Sequence, residues 1–336
     1  MSDIFHQSAD GKVNSRCIVW LCDKGYLFPT AVTARQAKKW APDKTDLIVF
    51  LDADEIDADM KASFEQATGA ELRLMPPSIN AVLNAHIPVG FFRTHVTRAA
   101  MFRLFVAQLL PHRYDRILYL DGDMQIKQPL GPLFDIALPE GFVGVVPDWA
   151  AICSREGMVQ FEENRRYLRG LGLSEDQWSS YFNSGMMIAD SETWNAIGPV
   201  ALDFLTRHPD ACRLHDQSAL NHACRGRVFS VSPRWNFLRQ YMPLPAYQDI
   251  KPAVVHFVGK IKPWDGAYPP WGKAEFRPYT EMAHMLNGSG IDFKRKPFLR
   301  RLTYKIKPLI VRSELSDKIY RNDLNDAVTD LAHRLP

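Results

Sequence analysis

The chain lacks any apolar run approaching the ~20 residues of a membrane span. Its first residues, Met1 to Lys12, are polar and hold no apolar core of signal-peptide length. Cysteine is scarce: Cys17, Cys22, Cys153, Cys212 and Cys224 are odd in number and form no C-x-x-C pair. That pattern speaks against a disulfide framework or a zinc site and for a reducing compartment. No G-x-G-x-x-G follows any strand-like run, so the dinucleotide fingerprint is missing. A large excess of one charge is missing too, since the net charge is +3. Residues 291–336 carry 11 Lys and Arg against 6 Asp and Glu, which leaves the rest of the chain with 30 against 32. The near-neutral body is not a nucleic-acid binder. From these absences a cytoplasmic protein is expected.

What is present suits a packed enzyme. The 336 residues, 46% hydrophobic and 24% charged, are enough for one large α/β domain with an appendage, or for two domains. Strand-like runs at 16–21, 46–51 and 70–75 alternate with helical stretches over Pro29–Trp40 and Ile56–Ala67, the pattern of a mostly parallel sheet. Arg116-Ile-Leu-Tyr-Leu-Asp-Gly-Asp123 then reads as a buried strand delivering two carboxylates to a sheet edge. If the backbone stays extended, Asp121 and Asp123 point the same way. Two such acids repel unless a hard divalent cation joins them, and Gly122 would leave the backbone open to a ligand. The plainer reading is a turn after a strand.

Other segments carry polar residues in apolar surroundings. A helix is expected over Thr94–Leu110, stopped by Pro111, with Met101, Leu104, Phe105 and Leu109 on one face. Arg103 interrupts that block; a snorkelling surface arginine is the commoner explanation, an anion-seeking one the alternative. Residues 155–170 suggest a solvated helix or lid. Asn183 lies inside the strand-like Tyr181–Asp190 and needs a hydrogen-bond partner, whether a backbone bulge or a sugar hydroxyl. Asp216 opens a helix that reaches Ala223, as an N-cap, a ligand contact or both. Ala253–Trp264 reads as a strand ending in His256, with Gly259 and Lys262 in a phosphate-cradling loop. Carboxylates with one imidazole suit Mn²⁺ or Mg²⁺ better than zinc.

These segments resemble glycosyltransferase family 8. The resemblance rests, in order, on Ile18-Val-Trp-Leu-Cys-Asp-Lys-Gly-Tyr26, Met101-Phe-Arg-Leu-Phe, the Asp121-Gly-Asp123 stretch, Tyr181-Phe-Asn-Ser-Gly-Met-Met, His215-Asp-Gln-Ser-Ala-Leu-Asn221, Arg234-Trp-Asn-Phe and His256-Phe-Val-Gly-Lys-Ile-Lys-Pro-Trp264. It implies a GT-A fold, a Rossmann-like nucleotide half fused to an acceptor half around a mostly parallel sheet; residues 1–275 are then expected to be the catalytic domain, and 276–336, beyond the resemblance, a helical basic tail. It also implies transfer of a hexose from a UDP-sugar, with retention of configuration, to a saccharide or glycolipid acceptor such as a lipopolysaccharide core. Asp121, Asp123 and His256 would hold Mn²⁺ (or Mg²⁺), and Asp23 and Tyr26 the uracil. Gly259 and Lys262 would meet the diphosphate, and Arg103, Asn183, Asp216 and Gln217 the donor sugar. The chain departs from many members at Lys24-Gly25 and at Ser218.

The stretch from Phe293 to Pro308 has seven basic residues and no acid, interleaved with apolar ones. It reads as a peripheral membrane-surface element, against the alternative of a solvated helix face. Two other functions compete with transfer. A phosphohydrolase of the haloacid dehalogenase type also carries an acid-x-acid after a strand, but Met124-Gln125-Ile126 fits it poorly. A non-catalytic sugar-nucleotide-binding relative is the other.

Overall fold

The structure is a computed structural model that describes residues 14–87, 98–152, 154, 161–268, 271–291 and 318–336. Strand β1 (Arg16–Asp23) shows why the chain forms layers. Cys17, Val19 and Leu21 enter one apolar cluster, while Ile18, Trp20 and Cys22 enter another on the opposite face. A strand buried on both faces sits mid-sheet between helical layers. Beside it run β2 (Thr45–Asp52), β3 (Glu71–Leu74), β4 (Arg116–Leu120), β6 (Val143–Pro147), β7 (Phe182–Ala189) and β8 (Val228–Ser230), in the order β3-β2-β1-β4-β7-β6-β8. Only β7 runs against the others. The sheet is therefore mixed and mostly parallel. The order reverses between β1 and β4, and open α/β sheets bind ligands outside the carboxyl ends of strands at such a point.

A second sheet, in the order β5-β10-β9, combines β5 (Met124–Ile126), β9 (Phe237–Leu238) and β10 (Val254–His256). It begins where the Asp121–Asp123 turn leaves β4. The turn replaces the extended backbone expected there: β4 ends at Leu120 and Asp121 to Asp123 are no longer strand. Strand β10 ends at His256, as the sequence leads one to expect, and Gly259 and Lys262 follow it outside any strand.

The longer helices are α1 (Leu27–Trp40), α2 (Ala58–Thr68), α3 (Pro77–His86), α4 (Phe161–Gly170), α5 (Ser191–Arg207), α6 (Asp216–Ala223), α7 (Lys273–Met285) and α8 (Lys318–Arg334). The helix expected over 94–110 is, in its described part, a 3₁₀ helix over Arg98–Phe105 followed by one α-turn, Val106–Leu109. Helix α7 crosses residue 275 and buries Tyr279 and Met282 in the cluster shared with α1. Helix α8 buries Leu324, Ala327 and Val328 against Phe237, Leu238 and Phe257. The basic stretch 293–308 lies outside the described residues. Among those described, no helix is long and apolar enough to cross a membrane.

Candidate functional site

A cavity of about 720 Å³ opens at the carboxyl ends of β1 and β4. Its lining includes Asp23, Tyr26, Arg103, Asp121, Asp123, Asn183, Asp216, Gln217, His256 and Gly259, so the fold gathers every expected site residue there except Lys262. Lys262 is buried beside them, donating from Nζ to Asp123 Oδ2 and to Phe257 O.

The acid pair is split oxygen by oxygen. Asp121 Oδ1 accepts from Tyr119 Oη (2.6 Å) and Arg103 Nη2 (2.9 Å), leaving Oδ2 3.7 Å from His256 Nε2. Asp123 gives Oδ2 to Lys262 and keeps Oδ1 3.3 Å from the same nitrogen. Burial opposes ionisation of Asp123, yet the Lys262 ammonium beside it outweighs burial and holds the carboxyl well below the usual carboxylate range. His256 Nδ1 pairs with Asn236 Oδ1 at 3.0 Å; with the proton on Nδ1, the Nε2 lone pair faces both acids. Three electron-rich atoms turned toward one another need a positive charge between them, and one ligand atom from each residue fits within 4.8 Å of the others. Two carboxylates and one imidazole are the donor set of Mn²⁺ or Mg²⁺.

Two glycines make that convergence sterically feasible. Gly122 does not merely free the backbone for a ligand: a Cβ there would lie 2.1 Å from Thr30 Oγ1, so α1 presses directly on the turn. Gly185 in β7 lies behind the cluster, where a Cβ would come within 2.4 Å of His256 Cε1 and 2.8 Å of Asp121 Oδ2.

Arg103 is no snorkelling surface arginine. It is buried, its Nε lies 3.0 Å from Asp216 Oδ2, and its Nη2 reaches Asp121. Nη1 donates to the Ser184 carbonyl and hydroxyl, both at 2.9 Å. Burial works against its charge, but Asp121 and Asp216 more than compensate and raise its pKa. Asp216 is not the expected N-cap. His215 fills that position and makes no side-chain cap bond; its φ of 49° and ψ of −119° are strained for a residue with a Cβ. Burial raises the Asp216 pKa despite Arg103.

Asn183 finds its partners inside the protein. Its Nδ2 donates to Asp148 Oδ2 and Gln217 Oε1, both at 3.1 Å, while its Oδ1 accepts from Gly185 N and Asn236 Nδ2. The β6–β7 register shifts beside it, Val145 pairing with Met187 and the next residue, Val146, with Asn183, so the extra residues bulge out of β7. Gln217 is fully engaged: Oε1 also accepts from Ser184 N (3.2 Å), and Nε2 donates to Tyr181 Oη (3.0 Å). Asp23 Oδ1 accepts from Tyr26 N, closing the loop after β1. The Tyr26 ring meets Trp264 edge to face at 5.9 Å, with Lys262 Nζ 5.9 Å from its centre.

Sequence reasoning missed Asp148, Tyr119, Tyr181, Ser184 and Asn236. Asp148 is buried in the cavity wall, its pKa raised by burial. The available signal was an acid at the carboxyl end of an apolar strand.

Comparison with known proteins follows the same outline. A family model described as Glycosyl transferase family 8 matches residues 17–267. General stress protein A of Bacillus subtilis (strain 168) is 29% identical over 189 residues, covering 51% of this chain and 61% of that protein. Lipopolysaccharide 1,3-galactosyltransferase of Salmonella typhimurium is 28% identical over 244 residues, 61% of this chain and 68% of the relative. Several curated relatives are spanned for only about half to three-fifths of their length, at 61%, 57% and 49%. The solved galactosyltransferase LgtC, in complex with donor and acceptor sugar analogs, superposes with a TM-score of 0.61 at 23% identity, covering 85% of this chain and 99% of that one. The mixed, mostly parallel sheet and its flanking helices constitute the GT-A fold.

Proposed function

The chain belongs to glycosyl transferase family 8, and on that premise we propose that it moves a hexose from a UDP-sugar to a saccharide or glycolipid acceptor, with a divalent cation held by Asp121, Asp123 and His256. The observation that carries the reading is the split of each carboxylate, one oxygen bound by the protein and the other turned toward His256 Nε2. Family membership disfavours the phosphohydrolase alternative.

Bound there, the cation would supply Lewis-acid stabilisation of the negative charge that develops on the departing UDP. The chain's own groups do the rest. Lys262 is a buried ammonium within reach of the same point and can share its charge with the diphosphate. Arg103 fixes Asp121 and Asp216 together, so the sugar pocket and the metal cluster keep one geometry. Tyr26 and Trp264 offer aromatic surface for a base. Gln217 is a poor nucleophile, since its Oε1 already accepts two hydrogen bonds. Asp216 is engaged by Arg103. That supports retention by attack of the acceptor on the face that the phosphate leaves, with the phosphate oxygen taking the acceptor's proton.

Calorimetric titration with UDP tests the reading. UDP should bind about tenfold or more tightly with Mn²⁺ than with chelator, and a screen of UDP-sugars should find Mn²⁺-dependent hydrolysis without acceptor. UDP binding that ignores Mn²⁺ would sink it. The glycine behind the cluster gives a sharper check. Gly185→Ala should push His256 and Asp121 apart and weaken Mn²⁺ binding by about 10–100-fold, the usual range for disturbing the support of ligands. An unaltered Mn²⁺ affinity in that variant would show that the three side chains do not act as one site.

A further inference from the structure

Among the described residues, the cations that line the cavity or touch its acid pair are held by carboxylates, and Arg239 at its rim is not. Arg103 is held by Asp121 and Asp216, Lys262 by Asp123, and Arg213 by Glu163 at 2.8 Å. Arg239 follows β9 at the start of a short 3₁₀ helix, Arg239–Tyr241. Among the described residues its side chain makes no ion pair and no hydrogen bond, and its Nε is buried without a partner. Burial alone pushes its pKa below the ordinary arginine value. The residue is half-buried, with Nε shut off from water while the two Nη groups stay accessible, so a guanidinium without a counterion is left open to an anion arriving from outside.

Its position says which anion. Arg239 is not itself a lining residue but stands at the rim: its neighbours Leu238 and Gln240 line the cavity, as does Gly259, whose Cβ, were it present, would lie 3.4 Å from Arg239 Nη2. In the second sheet Leu238 pairs with His256, and His256 pairs with Met124, the residue after Asp123. Asp123, His256 and Arg239 thus stand at one edge of three adjacent strands, with Arg239 two spacings, roughly 10 Å, from the Asp123 strand. Lys262, Tyr26 and Trp264 cluster on the Asp123 side. The nucleotide side already has its cation, and Arg239 flanks the metal cluster on the other.

We propose that Arg239 determines acceptor specificity by receiving a phosphate or carboxylate carried by the saccharide to which the sugar is transferred. A guanidinium suits this task, because its fork matches either oxyanion with two parallel hydrogen bonds. The proposal rests on the transferase reading for the word acceptor, but not for the binding itself.

The test compares glucose 6-phosphate and glucuronate with methyl glucoside, binding to the full chain with and without UDP and Mn²⁺. Wild type should bind each charged sugar about tenfold or more tightly than the neutral one, the scale of a charge-assisted hydrogen bond. Arg239→Gln should bring the charged-to-neutral ratio toward one, and Arg239→Lys should restore part of it. The thermal midpoint of Arg239→Gln should be unchanged or higher, since an unpaired charge is removed; an arginine with a structural role would lower it. Equal ratios in wild type and Arg239→Gln overturn the assignment. So does a fall in UDP affinity as large as that for glucose 6-phosphate, which would give Arg239 to the diphosphate. Failure of the transferase reading would appear separately, as absent donor hydrolysis in the wild type.

Discussion

Asp123→Ala is expected to reduce UDP-sugar turnover by on the order of a thousandfold or more, through loss of a metal ligand. The substitution removes Oδ1, the oxygen nearest His256 Nε2, and so breaks the three-residue cluster. It also removes the carboxylate paired with Lys262, whose Nζ would keep, among the described residues, the Phe257 carbonyl. An uncompensated buried charge costs about 3–5 kcal/mol when its partner is deleted. The sign of the pH dependence follows from the lowered carboxyl. A depressed folded pKa contributes stability that is complete above the unfolded value, about 3.9, and disappears as pH falls through the lower folded value. At neutral pH the stability loss in Asp123→Ala is therefore complete. Asp123→Asn, which keeps the shape and one acceptor oxygen, should unfold later than Asp123→Ala while binding Mn²⁺ as poorly. Calorimetric Mn²⁺ titration beside thermal melts separates the two effects. Turnover above about a tenth of wild type in a folded Asp123→Ala chain, against the several kcal/mol that a metal contributes, would remove Asp123 from the metal site.

Much of this site could be read from the chain because short segments carry it. Strands ending in acids, such as Leu120-Asp121 and Cys22-Asp23, announce their ligand-facing ends through the change from apolar to polar. His256 follows a run of β-branched residues in the same way. Contacts between segments distant in sequence were out of reach. Arg103 looked like a surface residue because its counterions, Asp121 and Asp216, are 18 and 113 positions away in the chain. Asn236 gave no hint of holding His256, and Gly122 gave none that α1 presses on it. The reversed direction of β7 was also invisible, since a strand buried on both faces has no periodicity that records its direction. The 3₁₀ conformation of Arg98–Phe105 likewise escaped a pattern that fits an α-helix equally well.

The long-range pairing of Arg103 leads to the second large effect. Arg103→Met should cost about 3–5 kcal/mol at neutral pH, because it leaves buried carboxylates facing one another without their cation. Asp121 would still accept from Tyr119, but its Oδ1 would lose the guanidinium, and Asp216 would keep only the longer 3.4 Å contact from Ser184 Oγ as a side-chain donor. Turnover should fall by about a hundredfold or more, as when a preorganised donor is lost. The groups facing Asp216 are Arg103, Asp121, Ser184 and His215, and burial already raises its pKa in the presence of Arg103. Without the guanidinium that pKa must rise further. A carboxyl whose folded pKa exceeds its unfolded one binds more protons in the folded state, so stability falls as pH rises between the two values. The difference in melting temperature between Arg103→Met and wild type should therefore shrink as pH is lowered from 7 toward 5. Double replacement by Arg103→Met with Asp216→Asn should recover part of the lost stability at pH 7, because it removes the stranded charge, without recovering turnover. A difference constant across that pH range, or no recovery in the double variant, would mean that Arg103 acts by packing on the Tyr119 ring, 4.8 Å away, rather than by joining the two acids.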